Sequence, residues 1–287
     1  MAPGQGIEDW ASGLDLLDRS PETARIYEEI YDVTQVDIID LCRSDNPSTD
    51  PGVVQPAALG IGVAQANILA EEGVRPDYLI GLSAGEFTVA AISGALRLKE
   101  AAYISQQRGV YQAEAANGTG SAVTAIHKRP LDIKTLLKDL PGAWPANFLA
   151  ADLTTFSYLH GSYDTLVERL IVQGARVRDL NMPFPPHGIS VKEAQDRLAI
   201  LLSKRGTVKD ASTQIISIRT AQASKKARTI RHNLIWQTTE PTQLNRAVNK
   251  ALEMGVEEFY DIGPDNSITK ILGRIINNNN IVIKSLA

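Results

Sequence analysis

Residues 77–95 of the chain read DYLIGLSAGEFTVAAISGA, and this stretch decides the fold. It starts with an apolar run, from Asp77 to Gly81, that is typical of a strand, and helical spacing of apolar residues follows from Glu86 to Ala95. A strand, a tight glycine-containing turn and a helix together form the unit of a parallel α/β sheet. The stretch therefore predicts an α/β protein with a parallel strand that ends at Gly81.

The turn between these two elements has the pattern Gly-x-Ser-x-Gly, with Ser83 at its centre. In a nucleophile elbow the serine occupies a strained turn, and glycines such as Gly81 and Gly85 let the strand and the helix approach each other. The start of the helix directs free N–H groups and a positive dipole end at charge that develops beside the serine. The pattern predicts a nucleophilic serine, and the alternative is a glycine-rich turn without a catalytic role.

Further helical patterns surround this unit at 20–31, 55–72 and 99–116. The longest apolar-looking stretch without charges, 53–70, carries the amides of Gln55, Gln65 and Asn67. A membrane span of that length would have to bury these amides in hydrocarbon. We therefore predict a buried helix of a soluble protein and no membrane partner.

The pattern changes at residue 121, where short strands and short helices begin to alternate. This alternation is typical of a small α+β unit such as a ferredoxin-like fold. The predicted order in this unit is strand 122–126, helix 131–139, strand 156–160, helix 162–173 and strand 175–180. After it, strands are predicted at 214–218 and at 258–262, the second being the last strand of the chain. We predict a catalytic core formed by 1–120 and 188–287, with 121–187 inserted as a ferredoxin-like subdomain.

The composition is that of a globular protein. Of 287 residues, 44% are hydrophobic and 22% are charged, which excludes a disordered chain or a fibre. The net charge of −4 carries no polyanion-binding signature, so we expect no nucleic acid partner. Cys42 is the single cysteine, and no Cys/His cluster has zinc spacing, so we expect no metal. The N-terminus has neither a basic nor an apolar targeting region, and we expect a cytoplasmic location.

A nucleophilic serine needs a base, and the chain has four histidines. His127 and His160 fall in or beside strands of the insertion, where a structural role is expected. His232 belongs to a basic run that is typical of a solvated surface. His187 follows the rigid segment Pro183–Pro186 at the join between insertion and core, and polar residues on such loops tend to form sites. His187 is therefore the candidate base.

Several motifs carry a more specific resemblance. In chain order they are Pro3-Gly-Gln-Gly6, Val54-Gln-Pro-Ala57, Gly81-Leu-Ser-Ala-Gly-Glu86, Gln107-Arg-Gly109 and Asp261-Ile-Gly-Pro264. With these motifs the sequence resembles the malonyl-CoA:acyl-carrier-protein transacylase family, which includes the acyltransferases of polyketide synthases, over nearly its whole length. The resemblance implies an α/β-hydrolase-like core with a parallel sheet and a ferredoxin-like insertion.

The resemblance also implies which residues act. Ser83 and His187 would form a catalytic dyad, and the backbone N–H groups of Gln5 and Ala84 would form the oxyanion hole. Arg108, which lies 108 − 83 = 25 residues after Ser83, matches the arginine that holds a malonyl carboxylate. A planar guanidinium suits that role because it binds a carboxylate through two parallel hydrogen bonds.

Three further implications concern the surroundings of the dyad. Gln55 and Leu82 match positions that line the acyl site. The third partner of the histidine is usually a backbone carbonyl in this family, and we expect it near Glu240 and Pro241.

The sequence departs from the family pattern around the acyl site. Leu82 replaces a histidine, the tetrapeptide ending at His187 is unusual, Gly188 replaces a serine, and Asp152 stands for a pocket asparagine. These departures favour a polyketide or related specialised pathway. The family also has a strand before the first motif, where only residues 1–2 precede it here. Either the sheet lacks that strand, another segment takes its place, or the numbering starts late.

Taken together, these residues predict a discrete, trans-acting acyltransferase. It would move an acyl group, malonyl by preference, from CoA to the phosphopantetheine thiol of an acyl carrier protein through an acyl-Ser83, without a bound cofactor. One alternative is an acyl hydrolase or carrier-to-carrier acyltransferase with a different acyl group. The other is an inactive module that only docks carrier protein, against which the joint presence of Ser83, His187, Gln55 and Arg108 argues.

A carrier protein of acidic character needs a local basic surface, since the chain itself is slightly acidic. The candidate is the run 225–231, which contains Lys225, Lys226, Arg228 and Arg231 and no acid. The alternative is a solvated surface without a partner, because charge runs usually serve solubility.

Overall fold

The structure is a computed structural model that describes residues 1–5, 9–116, 118–204, 206–278 and 280–286, so Gly6 of the first motif lies outside the described residues. The helices are α1 (Ser12–Arg19), α2 (Pro21–Thr34), α3 (Ile38–Arg43), α4 (Pro51–Glu71), α5 (Gly85–Ile92), α6 (Leu98–Ala116), α7 (Ile133–Leu136), α8 (Tyr163–Val172), α9 (Lys192–Ser203), α10 (Ala227–Trp236), α11 (Leu244–Glu253) and α12 (Ser267–Ile275). The strands are β1 (Tyr78–Leu79), β2 (Gly120–Ile126), β3 (Ala143–Ala150), β4 (Leu153–Leu159), β5 (Arg176–Asp179), β6 (Gln214–Ile216), β7 (Ala223–Ser224), β8 (Glu258–Asp261) and β9 (Val282–Ser285).

The central sheet is built from short, mostly parallel strands. β1 pairs in parallel with β6, β8 pairs in parallel with β9, and β7 runs antiparallel to β6. Residues 1–2 lie between β1 and β8, because the N–H of Ala2 donates to the Ile80 carbonyl and the Met1 carbonyl accepts from the N–H of Ile262. The order across the sheet is therefore β7, β6, β1, residues 1–2, β8 and β9. Residues 1–2 supply the strand position that the sequence left open.

Helix α4 is the buried core helix that the sequence predicts. Among the described residues it is the one helix long and apolar enough to cross a membrane, yet 72% of its apolar window is buried inside the fold. Helices α2, α5 and α6 pack against it. The Gln65 amide, which a bilayer would leave unpaired, donates instead to the Gly263 carbonyl at 3.0 Å. The length and composition of α4 thus reflect burial among helices.

The insertion forms an antiparallel sheet in the order β3, β4, β2, β5. Along the chain its elements follow the sequence β2, α7, β3, β4, α8, β5, which is the βαββαβ order of a ferredoxin-like fold. Leu136, Phe156, Leu166 and Leu170 form its own small core against this sheet. The predicted ferredoxin-like insertion is confirmed, and its limits at 121 and 187 stay a prediction.

Two elements of the insertion differ from the sequence-based prediction. Strand β3 was not predicted, because Pro145 and Asn147 disfavour a strand. The structure accommodates both on an edge strand whose pairing with β4 shifts register at these positions. The predicted helix 131–139 was too long, since α7 is a single turn and Asp139 adopts φ of +56° before Pro141.

The prediction that 258–262 is the last strand was also wrong. Strand β9 follows the asparagine-rich segment and pairs in parallel with β8, with Phe259 opposite Ile283. Its four residues alternate between exposed and half-buried side chains, so they form an edge with little apolar signal. Short edge strands of this kind are stabilised by their neighbour more than by their own composition.

The turn around Ser83 depends on close backbone contacts. A Cβ on Gly81 would lie 2.1 Å from the carbonyl oxygen of Gly85, and a Cβ on Gly85 would lie 2.4 Å from that of Pro3. Only glycine lets β1, α5 and the first residues of the chain come this close. The two glycines of the Gly-x-Ser-x-Gly pattern therefore fix where Ser83 stands in the fold.

We expect Gly85→Ala to lower the free energy of unfolding by about 2–3 kcal/mol, since the new methyl group overlaps backbone that cannot move aside cheaply. Gly273→Ala is the matched control, because a Cβ there meets nothing within 4 Å. It lies on an exposed face of α12 and should be neutral or stabilising by up to about 1 kcal/mol. Urea denaturation of both variants measures the difference, and equal stabilities would contradict the close-contact argument.

Candidate active site

A cleft of about 520 Å³ lies between the core and the insertion. Among the residues that line it are Gln5, Leu82, Ser83, Arg108 and His187, which the sequence analysis singled out. The core contributes the first four, and His187 lies on the loop after β5, at the predicted end of the insertion. The structure thus brings the predicted nucleophile, base and carboxylate-binding arginine to one place.

Ser83 stands at the tip of the turn between β1 and α5. Its φ of +51° lies in the left-handed region, which for a serine costs on the order of 1–3 kcal/mol. Residues 1–5 pass directly beside it, since a Cβ on Gly4 would lie 2.9 Å from the Leu82 carbonyl oxygen and 3.3 Å from Ser83 Cβ. The strained turn exposes the Ser83 hydroxyl to the cleft, as the elbow pattern predicts.

Arg108 reaches Ser83 from α6. Its Nη2 donates to Ser83 Oγ at 3.1 Å, and its Nη1 donates to Gln55 Oε1 at 2.9 Å. Burial lowers the pKa of Arg108 to about 10, with the charge of Glu86 acting in the opposite direction, so the guanidinium stays protonated at neutral pH. A Cβ on Gly109 would lie 2.2 Å from the Pro51 carbonyl oxygen, so α6 and α4 meet closely at this point.

Both the oxygen and the nitrogen of the Gln55 side-chain amide are hydrogen-bonded. Because a guanidinium only donates, the bond from Arg108 assigns Oε1 of Gln55 to the arginine side. Nε2 of Gln55 then donates to Gln5 Oε1 at 3.1 Å and to Gln112 Oε1 at 3.2 Å. This network links α4, α6 and the segment 1–5, so the position of Arg108 depends on three separate parts of the chain.

His187 is buried and has a defined tautomer. Its Nδ1 lies 2.7 Å from the carbonyl oxygen of Gln237. Because a carbonyl only accepts, the proton lies on Nδ1 and the lone pair of Nε2 is available as a base. Burial, and then the charge of Arg108, lower the pKa of His187 to about 4, while the backbone at Gln237 and Glu240 acts in the opposite direction. His187 is thus neutral at physiological pH.

The insertion holds the loop that carries His187. The Pro186 carbonyl accepts from Trp144 Nε1 at 3.1 Å and from Ser157 Oγ at 2.6 Å. A Cβ on Gly188 would lie 2.1 Å from the Trp144 ring. Glycine in place of the family's serine therefore leaves room for this tryptophan on β3. His187 itself adopts φ of +53°, and these contacts from the insertion are what hold that strained backbone in place.

The two predicted oxyanion donors belong to the two segments that meet Ser83, residues 1–5 and the start of α5. Ala84 is the N-cap of α5, so its N–H belongs to the group at a helix start that has no acceptor within the helix. Gln5 lines the cleft, and its side chain is engaged by Gln55. These positions agree with the expected roles, which stay predictions.

The basic run lies away from the cleft. Ser224 pairs with Ile215, which places Lys225 level with the start of β6, whereas Ser83 follows the end of the parallel strand β1. Lys225 Nζ donates to the Ser212 carbonyl at 2.6 Å, and Lys226 pairs with Asp210 at 3.1 Å. Arg228 and Arg231 follow on α10, whose far end leads to Gln237. None of these four described residues lines the cleft.

The expectation that Asp152 stands for a pocket asparagine is wrong. Asp152 lies in the turn between β3 and β4 and pairs with Arg274 at 2.7 Å, so it does not replace a pocket asparagine. Asn147 on β3 lines the cleft instead, and its Oδ1 accepts from the Thr242 hydroxyl at 2.8 Å.

The remaining histidines have other surroundings. His127 is buried between the Arg129 carbonyl and the Thr154 hydroxyl, His160 contacts the Gly118 carbonyl, and His232 lies beside the Trp236 ring. Their surroundings agree with the structural or surface roles expected for them.

Three residues of the site were not singled out from the sequence. Gln237, whose carbonyl orients His187, lies three residues before the expected Glu240. Gln112 follows Arg108 by four residues, so helical spacing on α6 was a usable signal. Trp144 carried no signal, because its place beside Gly188 arises only when the insertion packs on the loop.

Comparisons with known proteins find similarity to acyl transferases. A model of the acyl transferase domain family matches residues 1–283. The malonyl CoA-acyl carrier protein transacylase of Bacillus subtilis (strain 168) is 27% identical over 297 residues, covering 100% of this chain and 92% of the relative. The malonyl CoA-acyl carrier protein transacylase of Staphylococcus aureus (strain COL) is 25% identical over 281 residues, covering 95% of this chain and 90% of the relative.

Two solved structures share the fold. The malonyl CoA-acyl carrier protein transacylase of Coxiella burnetii superimposes with a TM-score of 0.93 at 24% identity, covering 99% of this chain and 92% of that one. A type II PKS malonyl-transacylase, solved in complex with its acyl-carrier protein, superimposes with a TM-score of 0.91 at 25% identity. The match covers 99% of this chain and 93% of that one. The predicted fold class is confirmed by these likenesses.

Proposed function

This chain belongs to the acyl transferase domain family, and from that premise we propose that it transfers a malonyl group from malonyl-CoA to the phosphopantetheine thiol of an acyl carrier protein. The observation that carries the proposal is a buried, protonated Arg108 within hydrogen-bond distance of Ser83 Oγ, in the same cleft as a neutral His187. A nucleophile, a base and a fixed cation are the groups that an acyl transfer with a carboxylated acyl group requires.

In the first half of the proposed reaction, Ser83 Oγ attacks the thioester carbonyl carbon. His187 Nε2 takes the hydroxyl proton, and the N–H groups of Gln5 and Ala84 stabilise the oxyanion. When the tetrahedral intermediate collapses, the carbon–sulfur bond breaks and His187 returns the proton to the CoA thiolate. The product is a malonyl ester of Ser83.

In the second half, the phosphopantetheine thiol of the carrier attacks that ester. His187 accepts the thiol proton, the new carbon–sulfur bond forms, and the bond to Ser83 Oγ breaks. The proton returns from His187 to Ser83, which restores the free enzyme. The residues of the chain supply all proton transfers, so the proposed route needs no bound cofactor.

Arg108 sets the acyl preference in this proposal. Two of its N–H groups are used by Gln55 and Ser83, and its Nε is buried with no partner among the described residues. A malonyl carboxylate supplies acceptors for such a guanidinium, and it relieves the cost of a buried charge that has no direct ion pair among the described residues.

One observation favours a second candidate. Leu82, Leu149, Met182 and Ile271 form an apolar part of the cleft wall. Such a wall suits a neutral acyl group, as expected for an acyl hydrolase or a carrier-to-carrier acyltransferase. Malonyl against acetyl loading separates the two candidates.

A carrier-protein surface at the run 225–231 and a cytoplasmic location complete the proposal. The ten residues of α10 span about 15 Å, so Lys225 and Lys226, just before the helix, lie roughly that far from its Gln237 end. A folded carrier protein is large enough to contact both. The single cysteine, Cys42, is a buried free thiol, which fits a reducing compartment.

We expect Ser83→Ala to abolish acyl-enzyme formation and to lower turnover by roughly 10⁶-fold, the loss typical when the nucleophile of a serine–histidine pair is removed. His187→Ala should be similarly slow, because an unactivated hydroxyl is a poor nucleophile. Intact mass after incubation with malonyl-CoA measures the effect. Ser203→Ala, an exposed serine at the end of α9, is the control and should load normally. A malonylated Ser83→Ala protein would show that the nucleophile is another residue.

We expect Arg108→Ala to lower malonyl loading by roughly ten- to a hundredfold relative to acetyl loading, because a charge-assisted hydrogen bond is worth about 1.5–3 kcal/mol. Arg108→Lys keeps the charge but loses the planar fork, so it should give an intermediate ratio. Competition between malonyl-CoA and acetyl-CoA, read by intact mass, provides the ratio. A ratio unchanged in both variants would favour the second candidate.

We expect the triple reversal Lys225→Glu, Lys226→Glu and Arg228→Glu to raise KM for carrier protein while loading from malonyl-CoA stays normal, because rim charges act mainly on association. The matched control reverses Lys134, Lys138 and Lys270, which are exposed and lie outside the run. Both triples change the net charge equally. If the control raises KM as much, or if neither does at low salt, the run is not the docking surface.

A further inference from the structure

Glu86 is a buried carboxyl group three residues after the nucleophile. It stands in the first turn of α5 and is only 2% exposed. Its Oε1 accepts from the N–H of Ile218 at 3.0 Å, and its Oε2 has no hydrogen-bond partner among the described residues. The proposed mechanism gives it no chemical step. A buried carboxyl with one unpartnered oxygen is costly, and the fold retains it beside the active site.

The backbone that Glu86 holds leads to the catalytic base. The Ile218 carbonyl accepts from the N–H of Gln243, and Arg219 pairs with Glu240 at 2.7 Å. Both contacts join the segment after β6 to the segment 237–243. That second segment begins with Gln237, whose carbonyl holds His187 Nδ1 at 2.7 Å. One continuous set of contacts therefore runs from the Ser83 turn to the histidine.

We propose that Glu86 is a positioning residue that couples the Ser83 turn to the segment orienting His187, so that nucleophile and base keep their relative placement during acyl transfer. The proposal rests on the proposed function, because it concerns the same site and the same reaction. It assigns Glu86 no contact with substrate. Its effect passes through Ile218 and Gln237.

The charge of Glu86 offers a way to observe this coupling. Burial raises the pKa of Glu86 to about 7, while the hydrogen bond from Ile218, the Ser217 hydroxyl and the charges of Arg108 and Arg219 act in the opposite direction. Arg108 on α6 and Arg219 after β6 are the charged groups that act on it. The carboxyl is thus protonated below about pH 7 and ionised above it.

The ionised form is the better acceptor for the Ile218 N–H, because hydrogen bonds to a charged acceptor are shorter and stronger. The coupling therefore strengthens as pH rises through about 7, and acyl transfer should rise with it. In the enzyme without bound malonyl-CoA, His187 does not account for such a step, since its pKa lies near 4 and the imidazole is neutral on both sides of pH 7. A change in rate near pH 7 would therefore report Glu86.

The first test measures the second-order rate constant for acyl-Ser83 formation at malonyl-CoA concentrations well below saturation, from about pH 5.5 to about pH 8.5, because its pH dependence reports groups of the free enzyme. For the unchanged protein we expect the rate to rise through an apparent pKa near 7. Glu86→Gln retains an acceptor for Ile218 but cannot ionise, so it should remain active with a flat profile. Glu114→Gln makes the same chemical change at an exposed glutamate that pairs with Arg197, and should keep the original profile.

The second test separates positioning from stability. We expect Glu86→Ala to lower kcat by roughly ten- to a hundredfold with little change in KM, because small misplacements of reacting groups have costs of that size. Glu240→Gln should lower kcat through the same segment. The double variant should lose less than the product of the two single losses, since coupled residues are not additive. If Glu86→Ala does not fold, the pH profile of Glu86→Gln still decides.

The outcomes are distinct from those that test the proposed function. If the unchanged protein forms no acyl-Ser83 with malonyl-CoA, the proposed function fails and the profile is measured with whichever acyl-CoA loads. If it loads but shows no rise near pH 7, or if Glu86→Gln keeps that rise, the inference about Glu86 is overturned. Fully multiplicative losses in the double variant would also overturn it.

Discussion

The close approach of backbone around Ser83 is the constraint on which the rest of the structure depends. Gly81 and Gly85 leave no room for a Cβ, and residues 1–5 pass against the same turn. Three separate segments, β1, α5 and the start of the chain, therefore meet at one point. Their meeting strains Ser83, brings Gln5 into the same cleft and places the N–H of Ala84, the N-cap of α5, directly after it. A side chain at either glycine would separate all of these at once.

His187, the proposed base, depends on a different set of contacts. His187 belongs to a loop that the insertion holds through the Pro186 carbonyl, whereas its tautomer is set by Gln237 in the core. The position of His187 therefore depends on how the insertion packs. Strand β3 contributes to that packing twice, through Trp144 on the loop and through Asn147 beside Thr242. This dependence explains why a small inserted subdomain stands at the catalytic cleft rather than elsewhere on the core.

Local signals in the sequence were sufficient to single out Ser83 as the candidate nucleophile and to predict much of the fold. Ser83 lies between a strand pattern and a helix pattern, and Arg108 follows in a recognised motif, so both were predictable as candidate site residues. Gln237 and Trp144 were not, because their roles come from contacts between segments far apart in the chain. Strand β3 was missed for the same reason. Pro145 disfavours a strand locally, and only pairing with β4 and with the segment near Thr242 makes one form.

The electrostatics of the cleft connect substrate choice to the chemistry. The charge of Arg108 is one of the two effects that lower the pKa of His187, so without a substrate the base is weak. Under the proposed function, a malonyl carboxylate bound at Arg108 offsets much of that charge at short range. The pKa of His187 then rises towards the range in which a general base is most effective. A neutral acyl group leaves the charge of Arg108 in place and the base weak. A neutral acyl group would therefore be disfavoured both in binding and in the rate of the acyl-transfer step. A site that recognises its substrate by affinity alone discriminates only in binding.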